Sequence, residues 1–236
     1  MSNQMKRLTA PRSWPLKRKV TVWVTKQSPG AHSTEKSMPA LIVLRDMLKL
    51  CDTAREAKRI IGNREVLVDG KPVKSPKMPV GLMDVVSIPM IKAEYRMLLT
   101  DKGKFTLQPI SADEASWKLC RIENKTTVKG GKTQLNLHDG RNIVLEANKY
   151  KTGDVLKIAV KDQAIQETYP LAGGAVIMII EGNKAGKTSL VSETVDTKGS
   201  AENIVKFTDG GETVRGNVFV IGKNTPAIKL PEASIL

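Results

Sequence analysis

Residues 39–61 read PALIVLRDMLKLCDTAREAKRII, and the spacing of their apolar residues predicts two consecutive helices. Pro39 suits the first turn of the first helix, where the missing N–H of proline costs nothing. Asp52 or Thr53 suits the cap of the second helix, because Glu56 stands one turn inside it as in a capping box. The predicted buried residues are Leu41, Leu44, Met47 and Leu48 in the first helix and Ala54, Ala57, Ile60 and Ile61 in the second.

The same two helices carry five basic residues on their polar sides. Arg45 and Lys49 stand four apart in the first helix, and Arg55 and Arg59 stand four apart in the second, with Lys58 beside them. Acidic residues are sparse on this side, and a basic segment precedes it in the chain. We therefore interpret it as a surface for RNA phosphates. Periodicity alone is equally compatible with an ordinary solvated helix face.

A small sheet is predicted to follow the helices. Residues 66–68 (VLV) and 71–73 (KPV) are short runs separated by Asp69-Gly70, a dipeptide typical of hairpin turns. Residues 85–88 (VVSI) form a third apolar run. Residues 39–100 therefore read as a helical hairpin packed on a small sheet.

The positive charge is concentrated at the N-terminal end. The 236-residue chain has a net charge of +14, and residues 1–40 hold 8 basic residues and 1 acidic residue. Prolines at positions 11, 15, 29 and 39 exclude a continuous helix there. Trp14 and Trp23 stand among the charges, which suits stacking on bases, and we expect the arm to order as it binds RNA. The alternative is a solvated tail whose tryptophans pack against the body.

From Ile91 onward, turn signals recur between short β-branched runs, a pattern typical of small barrels or sandwiches. One helix is expected at Ser111, which with Glu114 has the spacing of a capping box. Cys51 and Cys120 stand 69 positions apart. They are expected to be reduced, buried thiols, because neither the cysteines nor the two histidines have the paired spacing of a zinc site.

Residues 181–188 (EGNKAGKT) follow an apolar run and resemble a phosphate-binding loop only superficially. That motif needs four residues between its first glycine and Gly-Lys-Thr, whereas Gly182 and Gly186 have three between them. Residues 189–192 (SLVS) are also a poor helix start, and a helix N-terminus is what would hold the phosphates. We do not predict nucleotide hydrolysis. Lys184 and Lys187 are candidates for phosphate contact, with an ordinary exposed turn as the alternative.

No segment predicts a membrane-spanning or exported protein. The least-charged apolar run, residues 171–180, has about half the length that a bilayer span requires. The N-terminus lacks the apolar region of a signal peptide.

Several motifs resemble a known family. Residues 53–61 (TAREAKRII) with 66–71 (VLVDGK) resemble the RNA-binding fold named after bacterial small-subunit protein four. Resemblance to the archaeal and eukaryotic small-subunit ribosomal protein "four-e" runs nearly end to end, through residues 10–14 (APRSW), 28–32 (SPGAH), 79–85 (PVGLMDV), 117–120 (WKLC) and 135–142 (LNLHDGRN). Ala31 departs from the four-e pattern, which has a second proline before His32, and this loosens that turn.

The resemblance implies an α+β fold with four parts. A basic rRNA-binding arm over residues 1–38 precedes an RNA-binding domain of the protein-four type over 39–100, built from a small α-hairpin and a sheet. A β-rich central domain over 101–170 follows. Residues 171–236 are expected to form a small SH3-like barrel with a KOW motif and a C-terminal extension, with Gly186 at the characteristic KOW turn.

By resemblance, the protein is a structural constituent of the small ribosomal subunit in the cytoplasm. Its expected partners are small-subunit rRNA and neighbouring small-subunit ribosomal proteins, with no membrane, small-molecule substrate, cofactor, metal or catalytic residue. The candidate RNA-binding residues are Lys6, Arg7, Arg12, Trp14, Lys17, Arg18, Lys19, Arg45, Lys49, Arg55, Lys58, Arg59, Lys71, Lys184, Gly186 and Lys187.

Two other functions compete with this interpretation. The helical-hairpin fold also occurs as an accessory domain in pseudouridine synthases, which modify RNA with an Asp that closely follows a Gly-Arg pair. Here the corresponding stretch is Gly140-Arg141-Asn142, which lacks the carboxylate. A transcription or RNA-processing factor with a KOW motif is the second alternative, but it would not need the N-terminal signatures.

Overall fold

The computed structural model describes residues 4–146 and 149–231. The first three residues of the predicted arm and the last five of the predicted C-terminal extension lie outside these ranges. The described residues form two compact units. The first runs to Leu98 and includes Lys104–Ser116, and the second joins Leu99–Gly103 to the chain from Trp117 onward. The fold is mixed α and β, mostly strands with few helices, as expected.

The two predicted helices are present in the first unit, but the first differs in shape. Helix α1 spans only Ala40–Ile42 and continues as a π-helical turn over Val43–Met47. Pro39 precedes the helix in an extended conformation instead of opening its first turn. The π turn is closed by the N–H of Leu48, which donates to the carbonyl of Val43 at 3.0 Å. Helix α2 spans Ala54–Gly62 and packs against this first helical segment.

Nine strands complete the first unit. Five form a sheet in the order β5-β4-β7-β8-β9, and β1 with β2 and β3 with β6 make two-stranded pairs. The predicted hairpin at Asp69-Gly70 is confirmed, since Leu67 pairs with Pro72 and Val68 with Lys71. A short helix, α3, spans Ala112–Ala115 and is capped by Ser111 as predicted. The strands are β1 Met5–Lys6, β2 Trp23–Val24, β3 Ser37–Pro39, β4 Leu67–Val68, β5 Lys71–Pro72, β6 Pro79–Gly81, β7 Val85–Ile88, β8 Ala93–Leu99 and β9 Phe105–Ile110.

The second unit contains a central five-stranded sheet in the order β12-β11-β10-β13-β14. Alternate residues of its strands bury one apolar cluster, as the two-residue period of a strand requires. The cluster comprises Cys120, Ile122, Leu135, Leu137, Leu156 and Ile158. The strands are β10 Trp117–Thr127, β11 Thr133–Leu137, β12 Asn142–Leu145, β13 Val155–Ala159 and β14 Ile165–Tyr169.

A six-stranded antiparallel sheet in the order β18-β17-β16-β15-β19-β20 completes the second unit. Its strand β15 is buried throughout, which accounts for the uncharged apolar run in the sequence. The strands are β15 Ala175–Ile179, β16 Thr188–Val195, β17 Ile204–Phe207, β18 Glu212–Val214, β19 Val218–Lys223 and β20 Thr225–Pro226.

The longest helix in the described part of the chain has nine residues. No helix there is long and apolar enough to cross a membrane.

Candidate nucleic-acid interface

Helix α2 is fixed in orientation by its N-terminal cap and its buried side. The hydroxyl oxygen of Thr53 accepts from the N–H of Glu56 at 3.3 Å. The Glu56 carboxylate in turn accepts from the N–H of Thr53 at 3.2 Å and from that of Asp52 at 3.0 Å. This is the predicted capping box. Ala57 and Ile61 are buried, so the opposite side of the helix faces outward.

The outward side of α2 presents three exposed cations: Arg55, Lys58 and Arg59. None of them forms an ion pair with another residue in the described ranges. The only acid within the helix, Glu56, is held at the cap by the backbone of Thr53 and Asp52, and these hydrogen bonds lower the pKa of its carboxyl. Glu56 is therefore turned to the helix N-terminus, and the three cations form a positive surface, which we call the α2 face.

The cations of the first helical segment are arranged differently from the expectation. Arg45 is half-buried, and its guanidinium donates to the carboxylate of Asp46 at 2.8 and 3.1 Å. Lys49 is exposed, but it follows the π turn with a φ of 53°, outside the helix. The spacing of four residues therefore does not place these two side chains one turn apart. The expectation of a shared helical face is wrong here, because the π turn widens the backbone before Lys49.

The arm lies folded on the first unit in this structure, which differs from the expectation that it orders only with RNA. Trp14 is 1% exposed, and its indole N–H donates to the carbonyl of Ser37 at 2.8 Å. This corrects the prediction that Trp14 stacks on bases. Trp14 instead packs against the body of the protein, which was the alternative interpretation. A buried indole stabilises the fold through its area and its satisfied N–H.

Arg7 is also buried, at 6% exposure, and its Nε donates to the carbonyl of Lys17 at 2.5 Å. Half-buried Arg18 donates to the carbonyls of Ala10 and Pro11 at 2.6 and 2.8 Å. Both guanidiniums therefore bind the loops of the arm to one another. This corrects the assignment of Arg7 to RNA, because its side chain is shielded from solvent and bonds within the arm to the carbonyl of Lys17 and the hydroxyl of Thr21. The arm cations that remain exposed are Lys6, Arg12, Lys17 and Lys19.

Lys71 is exposed where the β4–β5 hairpin leaves its turn. Asp69 and Gly70 both adopt positive φ, at 50° and 71°, as a two-residue hairpin turn requires. The carboxylate of Asp69 also accepts from the N–H of Val85 at 3.0 Å. The position of Lys71 is therefore fixed by its turn.

In the second unit, Lys184 and Lys187 are exposed on the turn between β15 and β16, whereas Gly186 is buried. The N–H of Gly186 donates to the carbonyl of Ile179 at 2.7 Å. Its φ is 88°, and a Cβ there would collide with the carbonyl oxygen of Thr100, so only glycine fits. A strand, not a helix, follows this turn. The loop therefore lacks the helix N-terminus on which a nucleotide-binding loop depends.

Sequence reasoning missed a buried polar cluster in the second unit. Lys118 Nζ lies 2.7 Å from Asp139 Oδ2, and Arg141 Nε lies 3.2 Å from the same oxygen. Donor atoms of Cys120, His138 and Asp139 lie within 4.8 Å of one another, close enough to share a metal. Burial opposes ionisation of Asp139, but Lys118, His138 and Arg141 outweigh it and hold its pKa below the usual value. Because two cations already neutralise the carboxylate, the cluster fits an internal ion pair better than a metal site.

Both cysteines are free and buried, as expected. Burial, and next the charge of Glu56, raises the pKa of the Cys51 thiol. Cys120 donates weakly to Asp139 at 3.5 Å. Neither thiol is placed as a nucleophile, since both are buried and the raised pKa of Cys51 further disfavours its thiolate.

Three family models match the chain in sequence order. An RS4NT domain matches residues 1–35, an S4 domain matches residues 41–86, and Ribosomal family S4e matches residues 91–165. The α2 face lies within the S4 match.

Curated relatives match over almost the whole chain. Small ribosomal subunit protein eS4 from Methanothermobacter thermautotrophicus is 43% identical over 96% of this chain and 95% of its own. The protein of the same name from Methanocaldococcus jannaschii is 44% identical over 96% of each chain. The crystal structure of 30S ribosomal protein S4e from Thermoplasma acidophilum superposes with a TM-score of 0.71 at 36% identity, covering 80% of this chain and 96% of that one. These matches confirm the family indicated by the sequence motifs.

Proposed function

The chain belongs to the S4e family of small-subunit ribosomal proteins, and we propose that it is a structural constituent of the small ribosomal subunit that holds small-subunit rRNA through the α2 face. Relatives with this name are proteins of the small subunit, and this assigns the chain to the ribosome in the cytoplasm. The family is not one of enzymes. The matches give no support to an RNA-modifying enzyme or a processing factor.

One observation carries the proposal for the α2 face. Arg55, Lys58 and Arg59 are exposed on one capped helix, and Glu56, the acid nearest to them in sequence, is committed to the cap. These cations would donate charge-assisted hydrogen bonds to phosphate oxygens. Such contacts are independent of base sequence, so recognition of a particular rRNA site would come from the shape of the folded RNA.

The other exposed cations extend the proposed surface. We assign Lys6, Arg12, Lys17 and Lys19 of the arm, with Lys49 and Lys71, to secondary phosphate contacts, because all six side chains are exposed. Lys184 and Lys187 would add a smaller contribution, since residues 171–236 carry equal numbers of basic and acidic residues. A surface without net charge releases few counterions on binding.

We also propose that residues 171–236 form the SH3-like KOW barrel and residues 101–170 the central β-rich domain. Support for the barrel comes from the antiparallel order β18-β17-β16-β15-β19-β20 and from Gly186 in a turn that no other residue fits. On this division the arm is residues 1–38 and the RNA-binding domain is residues 39–100. Neighbouring small-subunit proteins are further proposed partners.

Binding of the purified chain to small-subunit rRNA, with large-subunit rRNA of matched length as competitor, tests the function. We expect preferential retention on small-subunit rRNA, and co-sedimentation with small subunits from a cell extract through moderate salt. Equal binding to both RNAs together with absence from the small-subunit fraction would contradict the proposal.

A further inference from the structure

A cavity of about 330 Å³ opens in the first unit, and Trp23 of strand β2 is one of the residues that line it. Lys6 pairs with Trp23 and Met5 with Val24 in the β1–β2 ladder, so the two residues of β2 point to opposite sides. Val24 is buried, whereas Trp23 is 55% exposed. The volume lies in the range of sites that hold a small aromatic ligand.

The lining of the cavity combines apolar and basic residues. Leu41 of α1, Ala54 of α2 and Pro76 contribute apolar surface, and Lys26, Lys58 and Lys77 contribute positive charge. None of the lining residues, all within the described part of the chain, is acidic. A ligand that fits this lining has a flat apolar ring and carries negative charge.

We propose that this cavity, called the Trp23 cavity below, binds one unstacked nucleotide of single-stranded RNA. Its base would stack on the Trp23 indole, and its phosphates would lie among the lysines. The inference rests on the proposed function and deepens it, because Lys58 belongs both to the α2 face and to the cavity lining. A strand that leaves a duplex bound at the α2 face would place its first unpaired nucleotide in the cavity.

Duplex RNA cannot fill the cavity, because its bases are paired and stacked within the helix. An unpaired base offers the whole of one face to the indole. Stacking of this kind is sequence-tolerant, so purine and pyrimidine oligonucleotides should both bind. Removing the indole should weaken single-strand binding by roughly tenfold.

The experiment uses the full chain labelled with 5-fluorotryptophan, which gives one fluorine signal for each of the three tryptophans. Trp23→Phe identifies the signal of Trp23 by its loss. Titration with a short single-stranded oligoribonucleotide should shift this signal and leave that of Trp14, which is buried, unchanged. A fully paired duplex of equal length should leave the Trp23 signal in place.

Affinity measurements use the same oligonucleotide. Trp23→Ala should weaken single-strand binding by roughly tenfold, and Trp23→Phe should retain most of it, because the phenyl ring still stacks. Met90→Ala is the matched control: Met90 is apolar, 76% exposed and in the same unit, but it does not line the cavity. This variant should bind as the wild type does.

Several results would overturn the proposal. These are a duplex that shifts the Trp23 signal as strongly as the single strand, a Trp23→Ala variant with wild-type affinity, or a nucleoside monophosphate that binds as tightly as the oligonucleotide. If the fluorine signal of Trp23 does not change when RNA is added but shifts when small-subunit proteins are added, the cavity binds a protein partner instead. In each case RNA binding at the α2 face could still stand. If the chain binds neither single-stranded nor duplex RNA, the proposed function is contradicted as well.

Discussion

Replacing both Arg55 and Arg59 by alanine should weaken rRNA binding without disturbing the fold. The two side chains lie one helical turn apart on the α2 face, and both are exposed. The buried side of the helix, Ala57 and Ile61, is left intact. The capping box between Thr53 and Glu56 is also left intact. Exposed substitutions of this kind usually change the free energy of unfolding by less than about 0.5 kcal/mol.

The size of the binding effect follows from counterion release. Each phosphate contact contributes about 0.9 to the slope of log affinity against log salt concentration. If each arginine holds one phosphate, the double variant should show a slope smaller by about 1.8. Between 50 and 200 mM salt, the advantage of the wild type over the variant should therefore shrink by roughly twelvefold. The loss should be similar for different RNA sequences, because phosphates carry no base information.

The assay is a salt titration of binding to small-subunit rRNA, with a thermal melt of each protein. Lys161→Ala/Lys198→Ala is the matched control, because it removes two exposed positive charges from the second unit. Its slope should stay close to that of the wild type. An unchanged salt slope in the arginine variant, with an unchanged thermal melt, would show that Arg55 and Arg59 contact solvent and not phosphate. It would refute the proposed role of the α2 face in RNA binding. Loss of the melting transition would mean that the buried side of α2 has been misassigned.

Three further changes test the packing that positions these surfaces. Trp14→Ala should lower the free energy of unfolding by about 3–5 kcal/mol in urea denaturation, because it empties a buried indole site and leaves the Ser37 carbonyl without its donor. Gly186→Ala should abolish the cooperative unfolding transition of the second unit. Gly130→Ala, at a similar φ of 84° in open space, should cost only about 1–2 kcal/mol. Asp139 has a lowered pKa when folded, so its carboxylate stabilises the fold above its ordinary pKa and loses this effect as pH falls towards the folded value. Asp139→Asn should therefore lower stability near neutral pH and flatten the acid side of the curve of stability against pH.

Each of these expectations has a clear opposite. A Trp14→Ala variant as stable as the wild type would contradict the burial of Trp14. Equal losses for the two glycine variants would show that φ alone, without the collision at Thr100, sets the cost at Gly186. An Asp139→Asn protein with an unchanged acid limb would mean that other carboxylates dominate acid unfolding.

The sequence was sufficient for helix α2 and the hairpin after it because their determinants are local. Thr53 and Glu56 are three residues apart, and the Asp69-Gly70 turn is decided by its own two residues. The π turn before Lys49 was not predictable in this way, since helical periodicity assumes an ordinary α-helical backbone. The buried state of Trp14 depends on Ser37, which is 23 positions away in the chain. The Trp23 cavity depends on the same kind of distant contact, because its lining comes from the arm, both helices and the segment around Pro76.

The motifs that identify the family meet one another inside the protein. His32, from residues 28–32, lies 3.0 Å from Asp84, from residues 79–85, and both side chains are buried. Lys118, from residues 117–120, lies 2.7 Å from Asp139, from residues 135–142. Removing one partner of the buried Lys118–Asp139 ion pair leaves an uncompensated charge, which is strongly destabilising, so these two positions tolerate few substitutions.

The proposed RNA surface depends on residues of a different kind. Arg55 and Lys58 are exposed, and their replacement should cost the fold little while it weakens binding. The buried pairs His32–Asp84 and Lys118–Asp139 therefore report on folding, whereas evidence for the α2 face has to come from exposed residues. A substitution at Asp84 or Asp139 that reduces rRNA binding would say nothing about phosphate contact unless the protein still melts as the wild type does. Substitutions of the exposed cations distinguish loss of phosphate contact from loss of folding, because such variants can lose RNA binding and still fold.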